Sequence, residues 1–182
     1  MSPTWKGRSL AECARKPRHG AGSPADRECR VIALLSDYHG DRHVTDIARP
    51  RVLLADDYAG LLTAWRRLLE PTCEIVGTVR NGRDLLDAAM TLTPDVVIAD
   101  LSMPEVTGLD ACRQIKRANP AIKVILVTAG GDEYVARAAF RAGASGFVLK
   151  HSADDLLTAI QSVLHGNTFC TPTVGIDAPD SM

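Results

Sequence analysis

Four short apolar runs in this chain each end on a polar residue that could do chemistry. Asp100 follows Val96-Val97-Ile98-Ala99 and leads into Leu-Ser-Met-Pro, with a glycine at 108. Asp56 and Asp57 follow Val52-Leu53-Leu54-Ala55, Thr128 follows Val124-Ile125-Leu126-Val127, and Lys150 follows Phe147-Val148-Leu149. If the runs are strands ending on one edge of a sheet, three carboxylates converge there, and like charges held close disfavour ionisation unless a cation compensates. Mg²⁺ suits such a place, because it takes one or two carboxylates, keeps several waters and accepts a phosphoryl oxygen. A free oxygen of Asp100 can then act as a nucleophile toward a phosphoryl group. The Thr128 hydroxyl and the Lys150 ammonium would bind the remaining phosphoryl oxygens, the lysine as a compact point charge. Taken singly, each residue has a plainer reading. An aspartate at a strand end caps the next helix, a threonine makes a turn, and a lysine is a solvated surface charge. The joint occurrence of all four, each one step beyond a different run, favours a site.

The elements that must position them repeat regularly from residue 51. Short β-branched or Leu-rich runs at 51–55, 74–78, 95–99, 122–127 and 146–149 read as strands, the first, third and fourth apolar enough to be buried on both faces. Between and after them lie stretches with helical apolar spacing. Leu61, Leu62, Trp65, Leu68 and Leu69 mark the first; Leu85, Leu86, Ala89 and Leu92 the second; Leu109, Cys112 and Ile115 the third. Val135, Ala138, Ala139 and Ala142 mark the fourth, and Leu156, Leu157, Ile160, Val163 and Leu164 the fifth. Asn81 reads as an N-cap, Ser152 with Asp155 as a capping box, and Asn119-Pro120 and Gly143 as helix stops. Five βα units in a row imply a parallel, doubly wound sheet with helices on both faces. Ligands of such sheets bind beyond the carboxyl ends of the strands, near the topological switch point, where the four polar positions fall.

Composition narrows the class. The chain has 182 residues, enough for one domain with a tail or two. Its net charge of −1 hides an asymmetry: residues 1–49 carry nine Lys/Arg against six Asp/Glu, and residues 50–182 twelve against sixteen. The mildly acidic remainder argues against a nucleic-acid surface there. Five scattered cysteines, at 13, 29, 73, 112 and 170, form no CxxC pair and have no histidine at zinc-finger spacing. A reducing cytosol fits them. No apolar run approaches the roughly 20 residues of a membrane helix, and the N-terminus lacks the apolar stretch of a signal peptide, so a soluble cytoplasmic protein is expected. Residues 1–49, rich in Arg, Pro, Gly, Ser and His, read as a mostly disordered extension or as sequence upstream of the true translation start. The apolar patch 31–35 leaves room for a short strand or helix. Cys112, Trp65 and Met90 read as packing residues.

The motif set as a whole resembles the receiver domain of bacterial two-component response regulators. It comprises Asp56-Asp57, Asp100 with Met103-Pro104 and Gly108, Thr128-Ala129, and Phe147 three residues before Lys150. Asp57 and Asp100 are 43 residues apart, Asp100 and Thr128 28, and Thr128 and Lys150 22. The resemblance covers about residues 50–166, leaving 167–182 as a short flexible tail. The run from Asp132 to Lys150 looks most like the NarL/FixJ type. The resemblance implies a five-stranded (βα)5 sheet of flavodoxin-like order 2-1-3-4-5. It implies that Asp100 is the phosphoacceptor, Asp57 a direct Mg²⁺ ligand, Asp56 a ligand mainly through water, and the Ser102 backbone carbonyl a third protein oxygen. It makes Thr128 and Phe147 a switch pair, in which the hydroxyl moves to the phosphoryl group and the ring turns inward to fill the vacated space. Phosphorylation would then shift the population between two packings already accessible. By itself Phe147 reads equally as a core aromatic.

Relatives of the NarL/FixJ type usually continue into a helix-turn-helix DNA-binding domain. Gly166–Met182 is too short to build three helices, so this chain is expected to lack one and not to bind DNA directly. Three functions remain in competition. The first is a signalling module that is no enzyme beyond its own phosphorylation and slow dephosphorylation. A sensor histidine kinase or phosphotransfer protein would phosphorylate it, and it would act on an output protein or as a homodimer, away from membranes. The second is a docking or dimerising scaffold independent of phosphorylation, or the remnant of a truncated transcriptional regulator. The third is a phosphohydrolase or phosphotransferase on a similar sheet. Haloacid dehalogenase-like enzymes place a general-acid aspartate two residues after the nucleophile, and Ser102 stands there instead, which disfavours turnover of external substrates.

Overall fold

The structure is a computed structural model that describes residues 49–174. The expected N-terminal extension up to residue 48, its patch at 31–35, Cys13 and Cys29, and the chain beyond 174 lie outside the described residues. Strands and helices alternate as β1 (Arg51–Ala55), α1 (Ala59–Leu69), β2 (Glu74–Val79), α2 (Gly82–Leu92), β3 (Val96–Asp100), α3 (Gly108–Ala118), β4 (Lys123–Thr128), α4 (Glu133–Arg141), β5 (Gly146–Leu149), α5 (Ala153–Leu164) and β6 (Phe169–Cys170). A 3-10 turn follows at Pro172–Val174. The sheet runs β2-β1-β3-β4-β5-β6 with every pair parallel. This is the expected doubly wound order 2-1-3-4-5 with one strand added.

Each central strand is buried on both faces, and its alternate residues feed two cores. Leu53, Ala55, Val97, Ala99, Val124, Leu126, Phe147 and Leu149 point to one side, where Leu85 and Ala89 of α2, Ala111, Cys112 and Ile115 of α3, and Ala136 and Ala139 of α4 cover them. Val52, Leu54, Val96, Ile98, Ile125, Val127 and Val148 point to the other, under Leu62, Trp65 and Leu69 of α1 and Leu156, Ala159, Ile160 and Val163 of α5. Three helices on one face and two on the other are what right-handed crossovers produce when strand order reverses between β1 and β3.

Helix starts follow local chemistry. The Asn81 side chain accepts from the Asp84 amide at 2.7 Å, as expected of an N-cap. Thr107 caps α3 through Asp110 N at 3.2 Å and Asp132 caps α4 through Val135 N at 3.1 Å. The expected Ser152 capping box does not form. Ser152 sits at φ −109°, ψ 80°, outside the extended region the other three caps adopt, and makes no side-chain cap bond. Helix α4 stops as expected, at Gly143 in the left-handed region with φ +94°.

Two further expectations change. The segment expected as a flexible tail from 167 supplies β6 and the 3-10 turn, so packed structure continues to Val174. Its register comes from β5: Phe169 N donates to Ser145 O at 3.1 Å, Thr171 N to Phe147 O at 3.0 Å, and Leu149 N to the Thr171 hydroxyl at 3.1 Å. Met90, expected to pack, is exposed on α2, whereas Trp65 and Cys112 are buried.

Candidate functional site

The register brings the polar strand ends together. Ala55 pairs with Ala99 and Asp100 with Val127, while Thr128 pairs with Leu149. The residues one step further, Asp56 and Lys150, therefore flank Asp100 and Thr128 at the carboxyl edge, beside the β1/β3 switch point. Backbone hydrogen bonds extend the ladders just past the strands, from Leu101 N to Val127 O at 2.8 Å and from Lys150 N to Thr128 O at 2.8 Å. The four positions thus stand on rigid elements.

The side chains form one charged constellation. Ligand oxygens of Asp56, Asp57 and Asp100 all lie within 4.8 Å of one another. Asp56 is 0% exposed and Asp100 5%, whereas Asp57 is exposed. Lys150, with its side chain 19% exposed, reaches over two of the three: Nζ lies 2.7 Å from Asp56 Oδ2 and 3.0 Å from Asp100 Oδ1. Burial works to lower the Lys150 pKa, but the contacts with Asp56 and Asp100 together outweigh it and hold the ammonium above its ordinary value. Asp56 Oδ1 accepts from Tyr58 N at 2.9 Å. Asp56 Oδ2 has no hydrogen bond. The Lys150 ammonium, 2.7 Å away, meets it as an ion pair.

A buried carboxylate oxygen with no assigned hydrogen bond, beside two further carboxylates whose ligand oxygens lie within 4.8 Å, is a donor set that fits a hard divalent cation. Asp56, Asp57 and Asp100 would supply oxygens to it. Ser102 stands exposed in the turn after Asp100. That turn is drawn tight at Gly108, whose amide donates to Leu101 O at 2.9 Å. A Cβ at 108 would run into the Asp100 carbonyl oxygen, so only glycine lets α3 start so near the strand end.

Thr128 and Phe147 are neighbours. The Thr128 hydroxyl donates to Gly130 O at 2.8 Å. A Cβ built on Gly131 would lie 2.8 Å from Phe147 Cζ and 3.2 Å from Thr128 Cγ2, so ring, methyl and glycine are packed together. Phe147 is 0% exposed and belongs to the larger core cluster. The ring expected to turn inward is therefore already inside.

Sequence reasoning missed Arg80. Its Nη2 and Nε donate to the Asp57 backbone carbonyl at 2.9 and 3.3 Å. An exposed arginine after an edge strand gives no signal in the sequence that distinguishes it from a solvated charge.

Residues 52–161 match the Response regulator receiver domain family. The chain belongs to that family. This receiver is 33% identical over 127 residues to Response regulator GacA of Pseudomonas aeruginosa, covering 68% of the present chain and 59% of the relative. The chain thus spans little more than half of that curated relative's length. A two-component response regulator of the LuxR family from Aurantimonas sp. superposes with a TM-score of 0.67 at 30% identity, over 69% of this receiver's chain and 92% of the other. The isolated REC domain of RcsB from Salmonella enterica, solved in the presence of phosphomimetic BeF3−, superposes with a TM-score of 0.64 at 28% identity, over 69% and 96%. Among the receiver's described residues, no helix is long and apolar enough to cross a membrane.

Proposed function

We propose that this receiver domain accepts a phosphoryl group on Asp100, with Mg²⁺ held by its acidic cluster, and passes the signal to a protein partner. The observation that carries the reading is the Lys150 ammonium spanning Asp56 and Asp100 inside a group of three carboxylates. Asp57 would be a direct ligand, Asp56 a ligand mainly through water, and Asp100 and the Ser102 carbonyl would complete the protein oxygens. The cation, when bound, neutralises charge on the incoming phosphoryl group.

The chain's own residues do the rest. A carboxylate oxygen of Asp100 attacks phosphorus, an O–P bond forms, and the bond from phosphorus to the donor, a phosphohistidine nitrogen or an acyl oxygen, breaks with its electron pair leaving on the donor. Lys150 releases Asp100 Oδ1 and takes a phosphoryl oxygen. Thr128 gives up the Gly130 carbonyl for another. A hydrogen bond to a charged acceptor contributes about 1.5–3 kcal/mol against about 0.5–1.5 for a neutral one, so the exchange is worth about 1 kcal/mol, roughly a fivefold population shift. Because Phe147 is already packed inside, the part that moves is the Thr128–Gly131 segment sliding against the ring.

The donor is a histidine kinase or phosphotransfer protein. The output is a protein partner or a second copy of the chain, reached in the cytoplasm without membrane or direct DNA contact from the described residues. Catalytic turnover of other substrates is not expected, since Ser102 offers no general acid. Incubation with Mg²⁺ and acetyl phosphate should add one phosphoryl group by intact mass, and chelation of the metal should prevent it. The same gain in Asp100→Asn would overturn the assignment, and rapid multiple-turnover phosphatase activity would overturn the non-enzymatic reading.

A further inference from the structure

The turn between β2 and α2 touches both loops that carry the acidic cluster, although none of its residues belongs to the cluster. From it, Arg80 reaches back to the β1–α1 loop and donates twice to the Asp57 carbonyl, at 2.9 and 3.3 Å. Two residues on, Gly82 N donates to Pro104 O at 3.2 Å in the β3–α3 loop. A Cβ at 82 would run into the Val106 carbonyl, so the contact depends on glycine. Asn81, between them, caps α2 and holds the turn in register.

Asp57 most needs such help. Asp56 and Asp100 are buried, and Lys150 contacts both. Asp57 is exposed and lies outside those contacts. Its main-chain carbonyl is where the turn takes hold. A ligand whose backbone is fixed before binding loses less conformational freedom when it coordinates, which raises affinity.

We infer that Arg80 is a positioning residue for divalent-cation binding. By its two hydrogen bonds to the Asp57 carbonyl, it presets the loop that presents the exposed carboxylate, while Gly82 ties the same turn to the loop after Asp100. The inference rests on reading the acidic cluster as a Mg²⁺ site. Charge alone predicts the opposite sign. A guanidinium near the site repels a divalent cation, so removing it would tighten binding if its charge were what mattered.

The test is a Mg²⁺ titration of the full chain, followed by backbone amide shifts, for wild type, Arg80→Ala, Arg80→Lys and Asp57→Asn, with urea denaturation of each in EDTA. Positioning predicts that Arg80→Ala weakens Mg²⁺ binding about fivefold, the effect of about one exposed hydrogen bond. Arg80→Lys should recover part of the loss, because one ammonium can still donate to the carbonyl. Unchanged or tighter binding in Arg80→Ala, with wild type binding normally, would overturn the positioning role. A loss of urea stability that Mg²⁺ affinity does not follow would overturn it too. No Mg²⁺ binding by wild type, or undiminished binding by Asp57→Asn, would instead sink the reading of the site itself.

Discussion

Replacing Lys150 by methionine isolates the charge balance of the site, because the stem keeps its volume and only the ammonium goes. In the wild type, Nζ is 2.7 Å from Asp56 Oδ2 and 3.0 Å from Asp100 Oδ1. At an effective dielectric of about 20, each contact corresponds to roughly 6 kcal/mol of attraction between unit charges. Much of that is offset by the desolvation of three charged groups and by the mutual repulsion of the acids. What remains when one partner of a buried pair is removed is about 3–5 kcal/mol. The 19% exposure of the lysine side chain places this case at the lower end, about 3 kcal/mol, a large part of a domain's usual 5–15. Urea denaturation in EDTA, followed by circular dichroism, should show that loss with an unchanged slope. Saturating Mg²⁺ should restore more stability to Lys150→Met than it adds to wild type, because the cation supplies the missing positive charge. Adding Asp56→Asn to Lys150→Met should recover at least half the loss, since the fully buried carboxylate is the group left uncompensated. At alkaline pH the sign is fixed by the raised pKa of Lys150. Its contribution is present below the ordinary value of 10.5 and is lost as pH rises through the higher folded value, so wild type should lose more than the variant there. A single-variant loss under about 1 kcal/mol, or a double variant no better than the single, would refute the reasoning.

Gly108→Ala should cost about 3 kcal/mol or more in urea denaturation and slow phosphorylation by acetyl phosphate, since its methyl meets the Asp100 carbonyl oxygen. Gly130→Ala, with nothing within 4 Å of the added methyl, should stay within about 0.5 kcal/mol. Burial pushes the Cys112 thiol up to about 12, and it donates to Ala142 O at 3.6 Å. Mass spectrometry after alkylation at neutral pH should therefore find Cys112 unlabelled until the protein unfolds. Thr171→Val should cost about 1–3 kcal/mol, because Leu149 N–H loses its acceptor, and amide exchange at Leu149 should accelerate accordingly.

Legibility in the sequence followed burial. β1, β3 and β4 are buried along nearly their whole length, so their runs of Val, Leu and Ile stand out without alternation. β2 lies at the edge of the sheet and is mostly half-exposed, and it runs to Val79, one residue past the end its composition suggests. β6 could not be read at all. Two residues between Gly166 and Pro172 carry no period, and they are a strand because β5 offers an unpaired edge. The same distinction separates the site residues. Asp56, Asp100, Thr128 and Lys150 were legible because a parallel sheet puts every strand's carboxyl end on one edge. The partners of Arg80 and of the Thr128 hydroxyl were not, because they depend on how loops meet across the edge.

That difference bears on how the site works. The residues at the strand ends give the receiver a fixed geometry: two buried carboxylates, with one ammonium bridging them. On the function proposed above, Lys150 and a cation would hold such a group together, and both contacts would change on phosphorylation of Asp100. The loop-borne contacts are the ones free to answer. Thr128 holds the Gly130 carbonyl through a single neutral hydrogen bond, next to a ring that is already packed. Arg80 holds Asp57 through its backbone and leaves the carboxylate free of that contact, as the proposed cation would require. Rigid strands keep Asp56, Asp100, Thr128 and Lys150 in register, and loop contacts of about 1 kcal/mol each are weak enough that a phosphoryl group on Asp100, if the proposed function holds, would redistribute them.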